Sequence, residues 1–283
     1  MSDAPLLRDT DLPPEAAPLS IGGVTLAARD LPRLAAFYAA LLGLEPMPDE
    51  AAPGALRFDL AGATLRLLPA PEARPERGDE PGLFHTAFLM PDRTALAGWL
   101  HHALALGLRL DGASDHGVSE ALYLSDPEGN GIEVYADRPR ALWPRPPAPA
   151  TGVAMVTRRL DLDALLAAAP GAVLAGRAMR IGHVHLRAGD LGATEAFYRG
   201  LGLEVTQRMP RASFLASGGY HHHVAVNTWG SAGLRPSGLS GLVALTLRAA
   251  DAAAFRRAAA GLAGSSQGVD PSGNAVLLEE PKG

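Results

Sequence analysis

An internal repeat constrains the fold of this 283-residue chain more than any other feature of its sequence. Residues 21–45 and 181–204 carry the same motifs in the same order, beginning with Ile-Gly in an alternating apolar segment. An Asp-Leu pair, an Ala-Phe-Tyr triplet and a Gly-Leu-Glu triplet follow, and the alignment needs one gap of one residue. Self-similarity of this kind indicates a structural unit that occurs at least twice, which limits the fold before any local pattern does.

Two weaker copies of the unit fill the remaining sequence. They begin with the apolar segments 83–89 and 242–247, and helical patterns follow near 95–106 and 252–262. Each copy then reaches an Asp-Pro-x-Gly-Asn turn, at 126–130 and 270–274, and a final apolar strand. The sequence therefore predicts an α+β fold of four strand–helix–strand–strand–strand (βαβββ) modules, beginning near residues 20, 83, 180 and 240.

The modules predict two halves joined by a linker. Residues 1–18 are expected to form a flexible leader, while 19–138 and 180–283 each hold one module pair. Residues 139–179 are Pro-rich at their start and predict a linker, in which Leu160–Ala168 forms a short helix. In the first module, Asp30 and Gly43 are the expected caps of a helix over Leu31–Leu42.

Charge and composition exclude several classes of function. The net charge is -5, which gives no electrostatic footprint for nucleic acid or a membrane surface. The chain has no Cys, so disulfides and Cys-ligated metal sites are excluded. It shows neither a signal-peptide pattern nor an apolar run of the roughly 18 residues that span a bilayer. We therefore expect a cytoplasmic protein that binds neither nucleic acid nor a membrane.

One carboxylate lies in an unusually apolar strand. Glu133 alternates with Ile132 and Val134 after the first Asp-Pro-x-Gly-Asn turn, so its side chain points to the face opposite theirs. Burying a carboxylate there is costly unless a positive partner, such as a metal ion, pairs with it. The alternative interpretation of this residue alone is an ordinary solvent-facing glutamate.

The paired modules resemble the vicinal oxygen chelate superfamily, which includes glyoxalase I, bleomycin-resistance proteins and the type I extradiol ring-cleaving dioxygenases. The stretches Ala113–Tyr123 and Gly218–Trp229 look most like the bacterial catechol-2,3-dioxygenase-like proteins. The resemblance covers 21–137 and 181–279. It implies two cup-shaped units of mixed β-sheet, with helices outside and a metal on the inner face of a cup.

In this superfamily, metal ligands lie on the first or the last strand of a module. The matching positions here are Gly23, His85, His183 and either Gly241 or Leu242 on first strands, and Glu133 and Leu277 on last strands. Pairing the modules in chain order leaves both cups with incomplete ligand sets. Pairing 83–137 with 180–229 instead places His85, His183 and Glu133 in one cup. The resemblance thus implies Fe(II), or alternatively Mn(II), with about three coordination positions open.

The stretch Gly-Gly-Tyr-His-His-His implies the acid/base residue. Alignment with the extradiol enzymes gives this role to His222, with His221 or His223 as rivals if the register slips. A neutral imidazole can take a substrate proton because its ordinary pKa lies near neutrality. If the run is a strand, His221 and His223 lie on the face opposite His222.

Two further side chains match residues that the extradiol enzymes use. Tyr123 lies ten residues before Glu133 and matches a tyrosine that donates a hydrogen bond to a substrate oxygen. His116 matches a histidine that contacts substrate or bound oxygen. His185 shares the strand face of His183, as a neighbouring group or an alternative ligand.

The leading interpretation is an extradiol-type dioxygenase acting on a catechol- or hydroquinone-like aromatic diol with O2. A metal-dependent lyase or isomerase of the glyoxalase type is the second candidate, and a non-catalytic protein that binds an aromatic drug is the third. The resemblance also suggests a homodimer. Candidate pocket walls are Trp229, Phe88 and Met90.

Overall fold

The computed structural model describes residues 16–281, which form two mixed β-sheets. The predicted leader lies for the most part outside the described residues. The first module consists of β1 (Leu19–Ala28), α1 (Leu31–Leu42), β2 (Met47–Pro48), β3 (Leu56–Leu60) and β4 (Ala63–Pro69). The second consists of β5 (Gly82–Leu89), α2 (Arg93–Ala105), β6 (Gly112–Asp115), β7 (Ser119–Ser125) and β8 (Gly131–Asp137).

The linker and the last two modules complete the chain. The linker holds β9 (Arg158–Arg159) and α3 (Leu162–Leu166), the latter inside the predicted short helix. The third module consists of β10 (Arg180–Arg187), α4 (Leu191–Gly200), β11 (Glu204–Met209), β12 (Ala212–Ala216) and β13 (Val224–Asn227). The fourth consists of β14 (Gly241–Ala249), α5 (Ala252–Gly261), β15 (Gln267–Val269) and β16 (Ala275–Glu279). Within the described residues, the fourth module has two strands after its helix rather than the three predicted, because only residues 262–266 separate α5 from β15.

The sheets do not follow the order of the modules along the chain. One sheet has nine strands in the order β11-β12-β13-β10-β5-β8-β7-β6-β9, and it combines the second and third modules with the linker strand. The other has seven strands, β15-β16-β14-β1-β4-β3-β2, and combines the first and fourth modules. Each sheet therefore takes one module from either side of the linker, and the predicted α+β architecture of two curled sheets is confirmed.

Aspartates begin all five α-helices of the described chain. Each side chain accepts a hydrogen bond from the backbone N–H three residues later, and the caps are Asp30, Asp92, Asp161, Asp190 and Asp251. A cap of this type stabilises a helix by about 1 kcal/mol. The predicted helix over Leu31–Leu42 is confirmed, and Gly43 ends it in the left-handed conformation with φ 65°.

The two Asp-Pro-x-Gly-Asn turns connect modules that do not share a sheet. Asp126 accepts hydrogen bonds from the backbone N–H groups of Glu128 and Asn130. The hydroxyl of Tyr38, from α1, donates to the same carboxylate at 3.0 Å. Tyr198 and Asp270 repeat this contact at 3.3 Å. The repeated Ala-Phe-Tyr triplet thus holds the turn of the following module, and one hydrophobic core includes residues from both sheets.

Candidate metal centre

Three neighbouring strands of the nine-stranded sheet bring the predicted ligands together. In the sheet, Ala87 lies between His183 of β10 and Glu133 of β8, paired with both. His85 lies two residues from Ala87 on β5, so its side chain projects from the same face. Because the Ala87 side chain is a single methyl group, the space above it is free for the three longer side chains.

The ligand atoms converge. Glu133 Oε2 lies 3.1 Å from His85 Nε2 and 3.3 Å from His183 Nε2, and the three side chains are buried. One ligand atom from each residue lies within 4.8 Å of the others. His85 Nε2 is buried and, despite its short distance to Glu133, no hydrogen bond satisfies it. The donor set suits a divalent cation, because two nitrogen lone pairs and one carboxylate oxygen face a common point.

Electrostatics favour the metal-binding forms of Glu133 and His183. Burial acts to raise the pKa of Glu133, but the imidazoles of His183 and His85 outweigh it and hold the pKa well below its ordinary value. Burial lowers the pKa of His183 to about 4, although the carboxylate of Glu133 opposes the shift. An ionised carboxylate and a neutral imidazole are the forms that bind metal.

A cavity of about 350 Å³ opens beside these ligands. Its polar lining comes from Ser114, His116, Ser119, Tyr123, Thr157, His185 and His222, and its apolar lining from Phe84, Met155, Met209, Phe214 and Trp229. A mostly apolar cavity of this size with a few converging polar groups is typical of a small-molecule site. Trp229 was expected as a wall and is one, whereas Phe88 and Met90 lie in the hydrophobic core.

Tyr123 and His116 form a hydrogen-bonded pair on the cavity wall. His116 Nδ1 lies 2.7 Å from the Val156 carbonyl oxygen, which can only accept, so Nδ1 carries the proton. His116 Nε2 is then the acceptor of the Tyr123 hydroxyl at 2.8 Å. Burial, and then the charge of Glu133 directly opposite on β8, raise the pKa of Tyr123 well above its ordinary value. Tyr123 therefore remains a hydrogen-bond donor.

The histidine run is not a strand, contrary to the prediction. Residues 220–223 form a bend before β13, after Gly218 and Gly219 turn the chain with φ of 63° and 70°. The rings of His221 and His222 consequently touch instead of pointing to opposite faces, with their Nδ1 atoms 2.7 Å apart. Of the three histidines, only His222 lines the cavity, and its ring centroid lies 4.1 Å from that of His183.

Comparison with known proteins identifies the family. Residues 23–135 match the glyoxalase-like domain, and residues 180–276 match the glyoxalase/bleomycin resistance protein/dioxygenase superfamily. The catechol-2,3-dioxygenase of Bacillus subtilis (strain 168) is 38% identical over 241 residues, which are 78% of this chain and 80% of that protein. The chain belongs to the glyoxalase/bleomycin resistance/dioxygenase superfamily. The resemblance to the vicinal oxygen chelate proteins is thereby confirmed.

Solved structures agree at the level of the fold. A putative dioxygenase from B. subtilis aligns with a TM-score of 0.61 and 14% identity over 93% of this chain and 86% of that chain. Glyoxalase I from Zea mays aligns with a TM-score of 0.52 and 15% identity, over 92% of this chain and 92% of that chain.

Of the described residues, the predicted ligands all lie in one sheet. In the seven-stranded sheet, the positions that match His183 and Glu133 hold Gly23 and Leu277. The position that matches His85 holds Ala244, which pairs with Thr25 as His85 pairs with His185. The expectation of Gly241 or Leu242 at that position was wrong, because the strand pairing lies two or three residues further along β14.

Two contributions to the cavity had no clear sequence signal. Met155 and Thr157 come from the linker, which has no periodic pattern. His185 was a candidate, but its setting depends on Asn227, whose Oδ1 accepts from the Trp229 N–H and whose Nδ2 donates to His185 Nε2 at 2.8 Å. His185 thus carries its proton on Nδ1. His101 and His102 of α2 are half-buried and bond to backbone carbonyls.

Proposed function

We propose that this protein is an extradiol-type ring-cleaving dioxygenase, which inserts both atoms of O2 into a catechol- or hydroquinone-like aromatic ring. The observation that carries the proposal is the 38% identity to a catechol-2,3-dioxygenase over most of the chain. The donor set supports it, because two histidines and one carboxylate leave about three coordination positions for substrate and O2.

The proposed cofactor is Fe(II), with Mn(II) as the alternative, held by His85, His183 and Glu133. The buried, unsatisfied Nε2 of His85 supports a cation at this point, since an imidazole nitrogen left without a partner is costly. A divalent iron bound there supplies the redox chemistry that lets O2 react with a catecholate. Of the described residues, three ligands form the cluster, which favours a dioxygenase over a glyoxalase-type lyase with a fourth protein ligand.

The polar side chains around the cavity are proposed to position the diol and move its protons. His222 takes a proton from a substrate hydroxyl at Nε2 and later returns it to the leaving oxygen. Burial, reinforced by His183, lowers the pKa of His222 well below its ordinary value, so the free imidazole is neutral. Tyr123 donates its single hydroxyl proton to His116 Nε2 in the free protein, and it turns that proton to a substrate oxygen when the diol binds. Phe214 and Trp229 provide apolar surface for the ring.

Oxygen uptake with catechol tests the proposal. The protein is loaded with Fe(II) without air, and O2 consumption is measured together with the visible absorbance of the ring-fission product. We expect both signals from the wild type and neither from Glu133→Ala. Gly22→Ala, in the sheet without ligands, is the matched control and should retain activity.

Two results would contradict the proposal. A wild-type protein that binds one tight metal but consumes no O2 with catechols or hydroquinones would favour the lyase. A wild-type protein that binds no metal would favour the third candidate, a non-catalytic protein that binds an aromatic drug. Parallel loading with Mn(II) distinguishes the metals, since we expect the larger kcat with Fe(II).

A further inference from the structure

A chain of hydrogen bonds leads from the cavity to a partly exposed carboxylate behind the metal centre. His222 lines the cavity and contacts His221 through their Nδ1 atoms, 2.7 Å apart. His221 does not line the cavity and is fully buried, and its Nε2 lies 2.9 Å from Oδ1 of Asp137. The Asp137 side chain is 22% exposed at the end of β8. Neither His221 nor Asp137 has a role in the proposed reaction so far.

The donor and acceptor rules determine where the protons of this chain lie. The Asp137 carboxylate can only accept hydrogen bonds when ionised, so His221 Nε2 must be the donor. A neutral His221 with its proton on Nε2 has a bare Nδ1, which accepts from His222 Nδ1. His222 therefore carries its own proton on Nδ1 and has a bare Nε2. The series begins at the carboxylate and takes His221 as neutral.

We infer that Asp137 and His221 are positioning residues that fix the tautomer of His222, so that its Nε2 presents a lone pair to the substrate cavity. The inference rests on the proposed function for the part played by His222, whereas the tautomer itself needs only these hydrogen bonds and a neutral His221. A histidine with the opposite tautomer would present an N–H to the cavity and could not accept the proton of a substrate hydroxyl.

The surroundings hold both positioning residues rigidly. Tyr220 donates its hydroxyl proton to the same oxygen of Asp137 at 3.1 Å, and its ring lies against that of His221 with centroids 4.0 Å apart. Tyr135 contacts the Tyr220 hydroxyl at 2.8 Å. Trp143 packs on the His221 ring from the linker, with centroids 5.2 Å apart. Since these aromatic neighbours restrict the His221 ring, its two nitrogens stay directed at His222 and Asp137.

Nitrogen-15 NMR of the histidine rings tests the tautomer directly. The full-length protein is loaded with Zn²⁺, a diamagnetic occupant of the site, and signals are assigned with the His222→Asn variant. In the wild type we expect a protonated Nδ1 and an unprotonated Nε2 on His222. In Asp137→Ala we expect the proton to appear on His222 Nε2 in a substantial fraction of molecules.

Three further variants separate the acceptor from packing. Asp137→Asn retains an acceptor oxygen without its charge. Unlike Asp137→Ala, it should largely keep the wild-type tautomer of His222. Tyr220→Phe removes the other donor to Asp137 but leaves the His221 contact, so its tautomer should be that of the wild type. His221→Phe removes the acceptor for His222 and should behave as Asp137→Ala does.

Kinetics of the Fe(II)-loaded proteins connect the tautomer with turnover. We expect Asp137→Ala to lower kcat by about 10–100-fold with little change in KM, the usual loss for a group that orients another. A wild-type His222 protonated on Nε2, or an Asp137→Ala protein with an unchanged tautomer, would overturn the inference. A changed tautomer with an unchanged kcat would also overturn it. An inactive wild type with the expected tautomer would refute only the proposed reaction.

Discussion

Gly182 and Gly22 hold matching positions in the repeat, and replacing each with alanine tests how tightly the metal sheet is packed. A Cβ on Gly182 would lie 1.9 Å from the Tyr135 hydroxyl oxygen and 2.9 Å from Cζ of that ring. Tyr135 is fully buried, and its ring lies 4.8 Å from that of His183. Because a rigid buried phenol has no free space to enter, G182A must displace it or the strand.

Overpacking of this kind costs about 1–3 kcal/mol of the free energy of unfolding. A fall in Tm of roughly 2–12 °C is then expected for a chain of this size. At Gly22, a Cβ would meet Oε2 of Glu279 at 2.7 Å, the far end of a flexible and partly exposed side chain, and its next contact is Arg248 Cβ at 3.2 Å. G22A should therefore destabilise much less. The unfolded-state entropy term of a Gly→Ala change, about 0.4–1 kcal/mol, is common to both variants and cancels.

Thermal unfolding of the metal-free variants, followed by Fe(II) titration, provides the assay. Since the Tyr135 ring supports that of His183, G182A should also weaken Fe(II) binding, by about 10–100-fold. G22A should bind Fe(II) as the wild type does. Equal Tm values for the two variants would refute the packing argument. Wild-type Fe(II) affinity in G182A would refute the connection to the metal site.

Three other perturbations have defined outcomes. Burial raises the pKa of Asp126 above 3.8 in the folded state, so its contribution to stability is present at low pH and is lost as pH rises through the folded pKa. Urea unfolding between about pH 4 and pH 6 should accordingly show a smaller loss of stability in Asp126→Asn than in the wild type; parallel pH profiles would contradict this. Tyr123→Phe should lower kcat by roughly 10–100-fold, the worth of a hydrogen bond to a charged group, while metal analysis still finds one bound ion; an unchanged kcat would remove Tyr123 from the reaction. Met155→Ala removes an apolar wall and should raise KM for ring-substituted catechols with little change in kcat, measured by steady-state O2 uptake; an unchanged KM would show that the linker does not contact the substrate.

The convergence of the predicted ligands could be foreseen because these residues lie on regular strands. Two-residue alternation placed Glu133 on the face opposite its apolar neighbours, and the repeat placed His85 and His183 at matching positions. A complete ligand set required the second and third modules to share a cup, and one sheet does contain both. The roles proposed for these residues stay predictions until they are measured.

The rest depended on contacts that periodicity does not record. The bend at residues 220–223 arises from two glycines with positive φ, so alternation could not place His221 correctly. Met155 reaches the cavity because the side-chain amide of Gln207 accepts from its N–H at 2.6 Å and donates to its carbonyl at 3.1 Å. A reciprocal pair between residues so distant in sequence leaves no local pattern.

The nested pairing of the modules also limits when His85, His183 and Glu133 can come together during synthesis. His85 pairs with His185, which lies 100 residues later, whereas Leu19 pairs with Ala249, which lies 230 residues later. The nine-stranded sheet can therefore form once the third module has left the ribosome. At that stage β1 of the seven-stranded sheet still lacks its partner β14. Strands this distant in sequence pair slowly, because the entropy of closing the long loop between them is lost before the stabilising contacts form. Until β14 is available, other contacts must shield the apolar strand β1 from solvent. A cut in the linker would place His183 on one fragment and His85 and Glu133 on the other.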